Sequence, residues 1–231
     1  MIVRDHTLNE KLYSAVKEDV NFFPPVMGTD DETIMQLLLN QGAEVNGYHN
    51  EKATCFAPYM FWNGWWRSKA DTTKKQVVQA VWEKDIPYPL DEILGFEYWT
   101  RTYRAGQFLD LHVDEDTFLY QDSKTFMGPH LGAIWYGEDN LDGGFVEIHK
   151  SSFVNGEKLV LERENLDLVK SPIEERERIA YRGNRSIIFD AGHVLHGTTP
   201  ARSGYRQVMV INLWHSSNPP TALKNNAFYY E

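Results

Sequence analysis

A histidine and a carboxylate stand two positions apart in the stretch FLDLHVDEDTF, residues 108–118. Apolar residues alternate just before the pair, which is typical of a β-strand. Side chains at positions i and i+2 of a strand point to the same face, so His112 and Asp114 can converge on one metal ion. An H-x-D tripeptide is common by chance, and a surface pair at the end of a strand fits the same letters.

Two further histidines follow the apolar run SIIF in the stretch FDAGHVLHGTTPARSGYR, residues 189–206. Either His193 or His196 can serve as a third ligand. Two histidines and one carboxylate that leave coordination positions open are the ligand pattern of non-heme Fe(II) oxygenases. Arg206 begins the next apolar run, where a planar guanidinium can hold a carboxylate through two parallel hydrogen bonds. A solvated charge at the end of a hairpin is the simpler interpretation of Arg206.

The elements that must position these residues fall into two regions. Amphipathic or capped patterns predict helices over residues 8–21, 29–40 and 71–85, the last with Val77, Val78, Val81 and Trp82 on one face. Beyond residue 91, turn residues separate short β-type runs; these are EILGFEYWTRTY, QFLDLHV, HLGAIWYG, GGFVEIH, EKLVLE, RSIIFD and QVMVINLWH. Within this region, SPIEERERI (residues 171–179) predicts a short helix capped by Ser171, with a proline at its first position.

Many short strands at this spacing predict a sandwich or a jelly roll. The chain has 231 residues, of which 42% are apolar, so it can bury one sizeable core. We therefore expect a single domain over 1–231 that is mainly β with flanking α-helices. In it, residues 1–90 form an N-terminal helical support region and residues 91–231 form the jelly-roll core.

Composition excludes several classes of function. The formal net charge of −10 argues against non-specific nucleic-acid binding, which needs a basic face. Cys55 is the single cysteine, so no intrachain disulfide can form and a reducing compartment is expected. The sequence has no secretory h-region and no apolar run of membrane-spanning length. We expect a cytoplasmic protein with no membrane or nucleic-acid partner, and the sequence leaves its oligomeric state open.

Taken together, the motifs resemble a known family over residues 95–214. The matching features are Tyr103, Gly106, His112 and Asp114 in YRAGQFLDLHVD, the Gly143-Gly144 hairpin, and the nine residues that separate His196 from Arg206. This pattern is similar to the Fe(II)/2-oxoglutarate-dependent dioxygenases, in particular the prolyl 4-hydroxylase-like branch. Two positions depart from that branch, with Leu109 and Asn212 where many members have an aromatic residue.

The resemblance implies a double-stranded β-helix, which is a distorted jelly roll, with Fe(II) held by His112, Asp114 and His196. The spacing to Arg206 selects His196 over His193, for which a structural role is expected. Arg206 would hold the distal carboxylate of 2-oxoglutarate, with Tyr103 as a helper. O₂ would be the second co-substrate, and ascorbate an optional reductant. The implied reaction is hydroxylation of an unactivated C–H bond in a peptidyl or free amino acid, with proline as the first expectation.

Other functions stay open at this stage. The same three ligands suit a zinc-dependent hydrolase, although such an enzyme needs no arginine at the position of Arg206. A binding or sensing module of the same fold would have little use for a complete ligand set. Demethylation of nucleic acid is disfavoured by the acidic charge and by the lack of a second downstream arginine typical of that branch.

Overall fold

The computed structural model describes residues 1–23, 59–109, 111–123, 125–138, 140–149 and 175–224, and every statement below concerns these residues. The helix expected over 29–40, the strand expected over 157–162, and Cys55 lie outside them. Among the described residues, no helix combines the length and the apolar character that crossing a membrane requires.

The described strands form two antiparallel sheets. They are β1 (Ile2–Arg4), β2 (Met60–Trp62), β3 (Ile93–Arg104), β4 (Leu131–Tyr136), β5 (Leu141–Gly143), β6 (Phe145–His149), β7 (Arg176–Ala180), β8 (Ser186–Phe189), β9 (His196–Thr198) and β10 (Ala201–His215). The large sheet has the order β1-β8-β4-β10-β3-β2, with β5 paired to β10, and the small sheet has the order β7-β6-β9. The sequence-based expectation of a mainly β architecture is confirmed.

Strands β3 and β10 form the centre of the large sheet and fix which side chains share a face. They pair from Tyr205 opposite Arg104 through Trp214 opposite Gly95. Because side chains alternate along a strand, Phe96 and Tyr98 of β3 point outward and are fully buried. The alternate positions of β3, from Glu97 to Tyr103, point to the inner face of the sheet.

Two helices cover the outer face. Helix α1 (Glu10–Glu18) is capped by the Asn9 side chain and α2 (Thr73–Trp82) by the Thr72 side chain, each of which accepts a backbone N–H of the first turn. The apolar stripe predicted for α2 is confirmed, because its four members are fully buried; these are Val77, Val78, Val81 and Trp82. They pack in one cluster with Phe96 and Trp135 of the sheet.

The inner face of the large sheet packs against the small sheet. One apolar cluster joins Tyr103, Tyr136 and Val208 of the large sheet to Val146 and Ile148 of β6. Two short helices, α3 (Thr117–Ser123) and α4 (Thr221–Lys224), contact each other near the end of β10. Gly143 and Gly144 have φ values of 74° and 79°, but they do not form the expected hairpin, because β5 pairs with β10 in the large sheet and β6 pairs with β7 and β9 in the small sheet.

Two other local predictions are wrong. Residues 176–179 of the expected helix belong to β7, because pairing with β6 outweighs the local helix-start signal; residues 171–174 lie outside the description. The run QFLDLHV is not a regular strand. Its backbone hydrogen-bonds to β9 at Leu109–Thr198 and at His112–His196, and these two pairs are three residues apart in the run but only two apart in β9. This is the count of a β-bulge, which breaks the ladder and re-aims the side chains that follow.

Candidate metal centre

His112 and Asp114 follow this bulge, and His196 is the first residue of β9. His112 and His196 exchange two backbone hydrogen bonds, of 2.9 and 2.8 Å, and the Asp114 N–H donates to the Ala191 carbonyl at 2.8 Å. The structure thus brings together ligand atoms of His112, Asp114 and His196, which all lie within 4.8 Å of one another.

The imidazoles face the carboxylate through their Nε2 atoms. Asp114 Oδ1 lies 3.5 Å from His112 Nε2 and 3.4 Å from His196 Nε2. Ligand atoms at about 2.0–2.2 Å from one ion are roughly 3 Å apart at right angles, so these separations suit a shared metal. The Nδ1 of His196 lies 3.0 Å from the Val194 carbonyl oxygen. With the proton on Nδ1, this contact leaves the lone pair of Nε2 available to a metal ion.

Electrostatics keep the carboxylate charged. Burial raises the pKa of Asp114, but hydrogen bonds and charge interactions with His112 and His196 outweigh it and hold that pKa well below its ordinary range. An ionised carboxylate between two imidazoles is the form that binds a cation.

His193 lies outside this group. Its Nδ1 is 2.7 Å from Asp190 Oδ1, and its side chain is 41% exposed. Of the two histidines that the sequence offered as a third ligand, the structure therefore brings His196 to the carboxylate.

Two glycines, Gly128 and Gly132, leave space around Asp114. The sequence motifs did not predict this. A Cβ on Gly132 would lie 2.5 Å from the Ala191 Cβ and 3.6 Å from Asp114 Oδ2. A Cβ on Gly128 would lie 2.7 Å from the Gly192 Cα and 2.8 Å from the Asp114 carbonyl oxygen. A side chain at position 128 would push against the Asp114 backbone, and one at position 132 would push against the Ala191 side chain beside the Asp114 carboxylate.

Arg206 lies on the inner face, opposite Tyr103 in the β3–β10 register. It is 5% exposed, its guanidinium carbon lies 4.4 Å from the Tyr103 ring centroid, and Nη2 donates to Thr198 Oγ1 at 3.0 Å. Its Nε is buried without a hydrogen-bond partner among the described residues, and no described carboxylate forms an ion pair with it. A buried cation in that state is suited to receive an anionic ligand.

Other polar residues of the inner face were missed from sequence. Arg101 donates to the hydroxyls of Tyr103 and Tyr59, at 3.3 Å each. Burial, opposed by the charge of Arg206, raises the pKa of Tyr136 to about 12. Glu97 accepts a hydrogen bond from Trp214 Nε1 at 3.0 Å. The alternation Glu97, Trp99, Arg101, Tyr103 in the sequence was the available signal.

The arrangement fits a metal ion that binds an organic anion. Three protein ligands of the type His₂-carboxylate occupy one side of an ion and leave coordination positions for a co-substrate. Arg206 supplies a charged contact nearby, because it donates to Thr198, two residues after His196 in β9. The residues present therefore suit Fe(II) together with a dicarboxylate.

Comparison with known proteins shows similarity of the fold. No protein-family model matches the chain, and no curated protein matches it. Several solved structures are similar to it. The non-heme alpha-ketoglutarate-dependent carbocyclase SnoK from nogalamycin biosynthesis is similar with a TM-score of 0.51 and 12% identity, covering 92% of this chain and 78% of that one. A Trichoplax adhaerens prolyl hydroxylase, in complex with a hypoxia-inducible factor oxygen degradation domain peptide fragment, has a TM-score of 0.50 and 13% identity, covering 94% and 84%.

These likenesses establish a shared fold, and the double-stranded β-helix predicted from the sequence is confirmed. The resemblance to prolyl hydroxylases and other oxygenases seen in the sequence motifs thus extends to the three-dimensional structure.

Proposed function

We propose that this protein is an Fe(II)- and 2-oxoglutarate-dependent oxygenase. The observation that carries the proposal is a pair of features joined through β9, because Arg206 donates to Thr198, two residues after His196. One is the His112–Asp114–His196 group, and the other is the buried Arg206, which forms no ion pair with a described carboxylate. A zinc hydrolase explains the first feature and leaves the second without a role.

In this proposal His112, Asp114 and His196 hold Fe(II). When bound, the iron supplies the redox chemistry that couples O₂ and the oxidative decarboxylation of 2-oxoglutarate to hydroxylation of a C–H bond. The protein contributes positions and charge. The Val194 carbonyl fixes the His196 ring, and the mutual backbone hydrogen bonds of His112 and His196 fix the two imidazoles relative to each other.

Arg206 binds the distal carboxylate of 2-oxoglutarate. Thr198 holds one end of the guanidinium through Oγ1, and the Tyr103 ring packs against its plane. These two contacts restrict the guanidinium before the ligand arrives, so less conformational entropy is lost on binding. Tyr103 therefore acts on the co-substrate at least through Arg206.

We propose a peptidyl or free amino acid as the prime substrate, with proline first. Support comes from the prolyl 4-hydroxylase-like motifs and from the fold shared with a prolyl hydroxylase that is solved with a peptide fragment.

Small molecules and peptides are the proposed partners, with no nucleic acid or membrane. We further propose a cytoplasmic location, in keeping with the single cysteine. The whole chain is proposed to be one domain, since β1 and β2 from the N-terminal region join the large sheet.

The test is succinate formation by purified protein with Fe(II), ascorbate, O₂ and 2-oxoglutarate. We expect slow turnover without a prime substrate, and faster turnover with a productive one. Proline-containing peptides and free amino acids are then screened by mass spectrometry for a gain of one oxygen atom. Succinate without any gain of oxygen would remove the proline proposal and keep the class. No succinate from protein shown to hold Fe(II) would remove the class.

A further inference from the structure

Asn212 carries a polar atom that the fold leaves unsatisfied. It lies on the inner face of β10, opposite Glu97 of β3 and Gly132 of β4, and it is 3% exposed. Its amide hydrogen-bonds to the Glu97 carboxyl, which also accepts the Trp214 indole N–H at 3.0 Å. The Asn212 Oδ1 atom, however, is buried with no hydrogen-bond partner among the described residues. Since buried polar atoms are rarely left unpaired, this oxygen calls for a ligand.

The unpaired oxygen lies next to the candidate metal centre. A Cβ on Gly132 would be 3.0 Å from Asn212 Oδ1 and 3.6 Å from Asp114 Oδ2, so both oxygens border the same space. Trp99 points to the same inner face, and its Nε1 is also buried without a partner among the described residues. The face beside the metal ligand therefore offers one acceptor and one donor.

Resting on the function proposed above, we infer that Asn212 determines specificity by accepting a hydrogen bond from an N–H or O–H group of the prime substrate. Glu97 acts as a positioning residue, because its carboxyl faces the Asn212 amide nitrogen and thereby directs Oδ1 into the space beside Asp114, while Trp214 holds that carboxyl. The substrate thus carries an amino, amide or hydroxyl group close to the carbon that is oxidised. A purely hydrocarbon group at that place would leave Oδ1 buried and unpaired, which selects against it.

Binding of named probes to the protein loaded with Mn(II) and 2-oxoglutarate tests this inference without turnover. The probes are L-proline and other free amino acids, N-acetyl amino-acid amides, glucosamine and inositol, with cyclohexanecarboxylate as the probe that lacks an N–H or O–H donor on its ring. Isothermal titration calorimetry measures Kd. The three donor-bearing groups distinguish a free amine, a peptide amide and a sugar-like hydroxyl as the source of the donor.

We expect a donor-bearing probe to bind more tightly than cyclohexanecarboxylate. Asn212→Leu should then raise its Kd at least about tenfold, as expected for loss of one buried hydrogen bond. Asn212→Gln, which keeps the amide and its acceptor oxygen on a longer side chain, should retain part of the wild-type affinity. The inference would be overturned if cyclohexanecarboxylate bound more tightly than every donor-bearing probe, or if Asn212→Leu left the Kd unchanged.

The melting temperature of the unloaded protein gives a second readout that needs no substrate. If Asn212 is retained for binding, Asn212→Leu should melt within about 5 °C of the wild type, because removal of the buried unpaired oxygen offsets the lost contact of the amide with Glu97. A fall of more than about 5 °C would be a substantial loss of unfolding free energy for a chain of this size. It would show that Asn212 has a structural role and would overturn the inference. If no probe binds, this comparison decides. Failure of the wild type to bind 2-oxoglutarate would instead remove the proposed function itself.

Discussion

His112 and His196 are joined backbone to backbone, each donating its N–H to the carbonyl of the other at 2.9 and 2.8 Å. The pair is an isolated bridge that lies beyond the regular ladder of β9. Because each main chain is tied to the other, the separation of the two imidazoles depends on this bridge more than on packing of the rings. A site built in this way is formed before any ion binds, which lowers the entropic cost of binding.

The ligand assignment predicts a clear difference between two neighbouring histidines. His196→Ala should lower the affinity for Fe(II), or for Mn(II) as a stable substitute, because a three-ligand shell becomes a two-ligand shell. The loss should exceed the roughly 10–100-fold effect typical of a residue that only orients a ligand. His193→Ala is the matched control and should bind metal as the wild type does. Retained binding in His196→Ala with loss in His193→Ala would reverse the assignment.

The carboxylate role of Arg206 predicts a selective effect on the co-substrate. Arg206→Ala should raise the apparent KM for 2-oxoglutarate by about 10- to 100-fold or more, since hydrogen bonds to charged groups contribute about 1.5–3 kcal/mol. Metal affinity should change little, and Arg206→Lys should keep part of the effect because it retains the charge without the planar fork.

Arg202→Ala is the control for Arg206, because it removes an exposed arginine of the same strand, bonded to Asp142. Steady-state kinetics at saturating Fe(II) measure both variants. An unchanged KM in Arg206→Ala would show that another residue binds the distal carboxylate of 2-oxoglutarate.

The space around Asp114 predicts a packing defect that a second substitution relieves. Gly132→Ala places a methyl group 2.5 Å from the Ala191 Cβ, so it should destabilise the fold by about 1–3 kcal/mol, as overpacking does. The double variant Gly132→Ala/Ala191→Gly removes the clashing atom and should recover much of the loss. Chemical denaturation measures all three proteins, and equal stability of the single and double variants would show that Ala191 is not the obstacle.

Sequence patterns predicted those parts of the fold that local order determines. Alternation and turn residues located β3, β4, β6, β8 and β10, and helical periodicity located the buried stripe of α2. Spacing from Arg206 favoured His196, and the structure brings that histidine to Asp114. These features are written in short segments, where side-chain periodicity reflects a single buried face.

What the sequence did not predict depends on contacts between distant segments. The bulge before His112 exists only because Thr198 and His196 of β9 pair with that run. Strand β7 depends on its pairing with β6, which local helix signals cannot report. In the run EYWTRTY, alternation puts Glu97 on the same face as Tyr103, but both faces carry polar and aromatic residues, so the sequence alone could not say which face points inward.

The inward carboxyl of Glu97 predicts a pH dependence of stability. Burial raises the pKa of Glu97 to about 8, with the Asp114 charge adding to the rise and the Trp214 N–H opposing it. A carboxyl whose pKa is higher in the folded state binds its proton more tightly there, so its contribution to stability is complete below its unfolded pKa. That contribution is lost as the pH rises from about 4.5 to about 8.

Glu97→Gln keeps an oxygen that accepts from Trp214 and cannot ionise, so it should not show this loss. Metal is first removed with a chelator. The melting temperature of the variant minus that of the wild type should then increase as the pH rises from about 5 to about 9, a range that spans both pKa values. A difference of 1 kcal/mol corresponds to about 2–4 °C for a chain of this size, which differential scanning fluorimetry resolves. Glu83→Gln, at an exposed position after α2, is the control and should parallel the wild type. Parallel curves for Glu97→Gln and the wild type would mean that Glu97 is already ionised at neutral pH, and the carboxyl would then face Asp114 as a second negative charge.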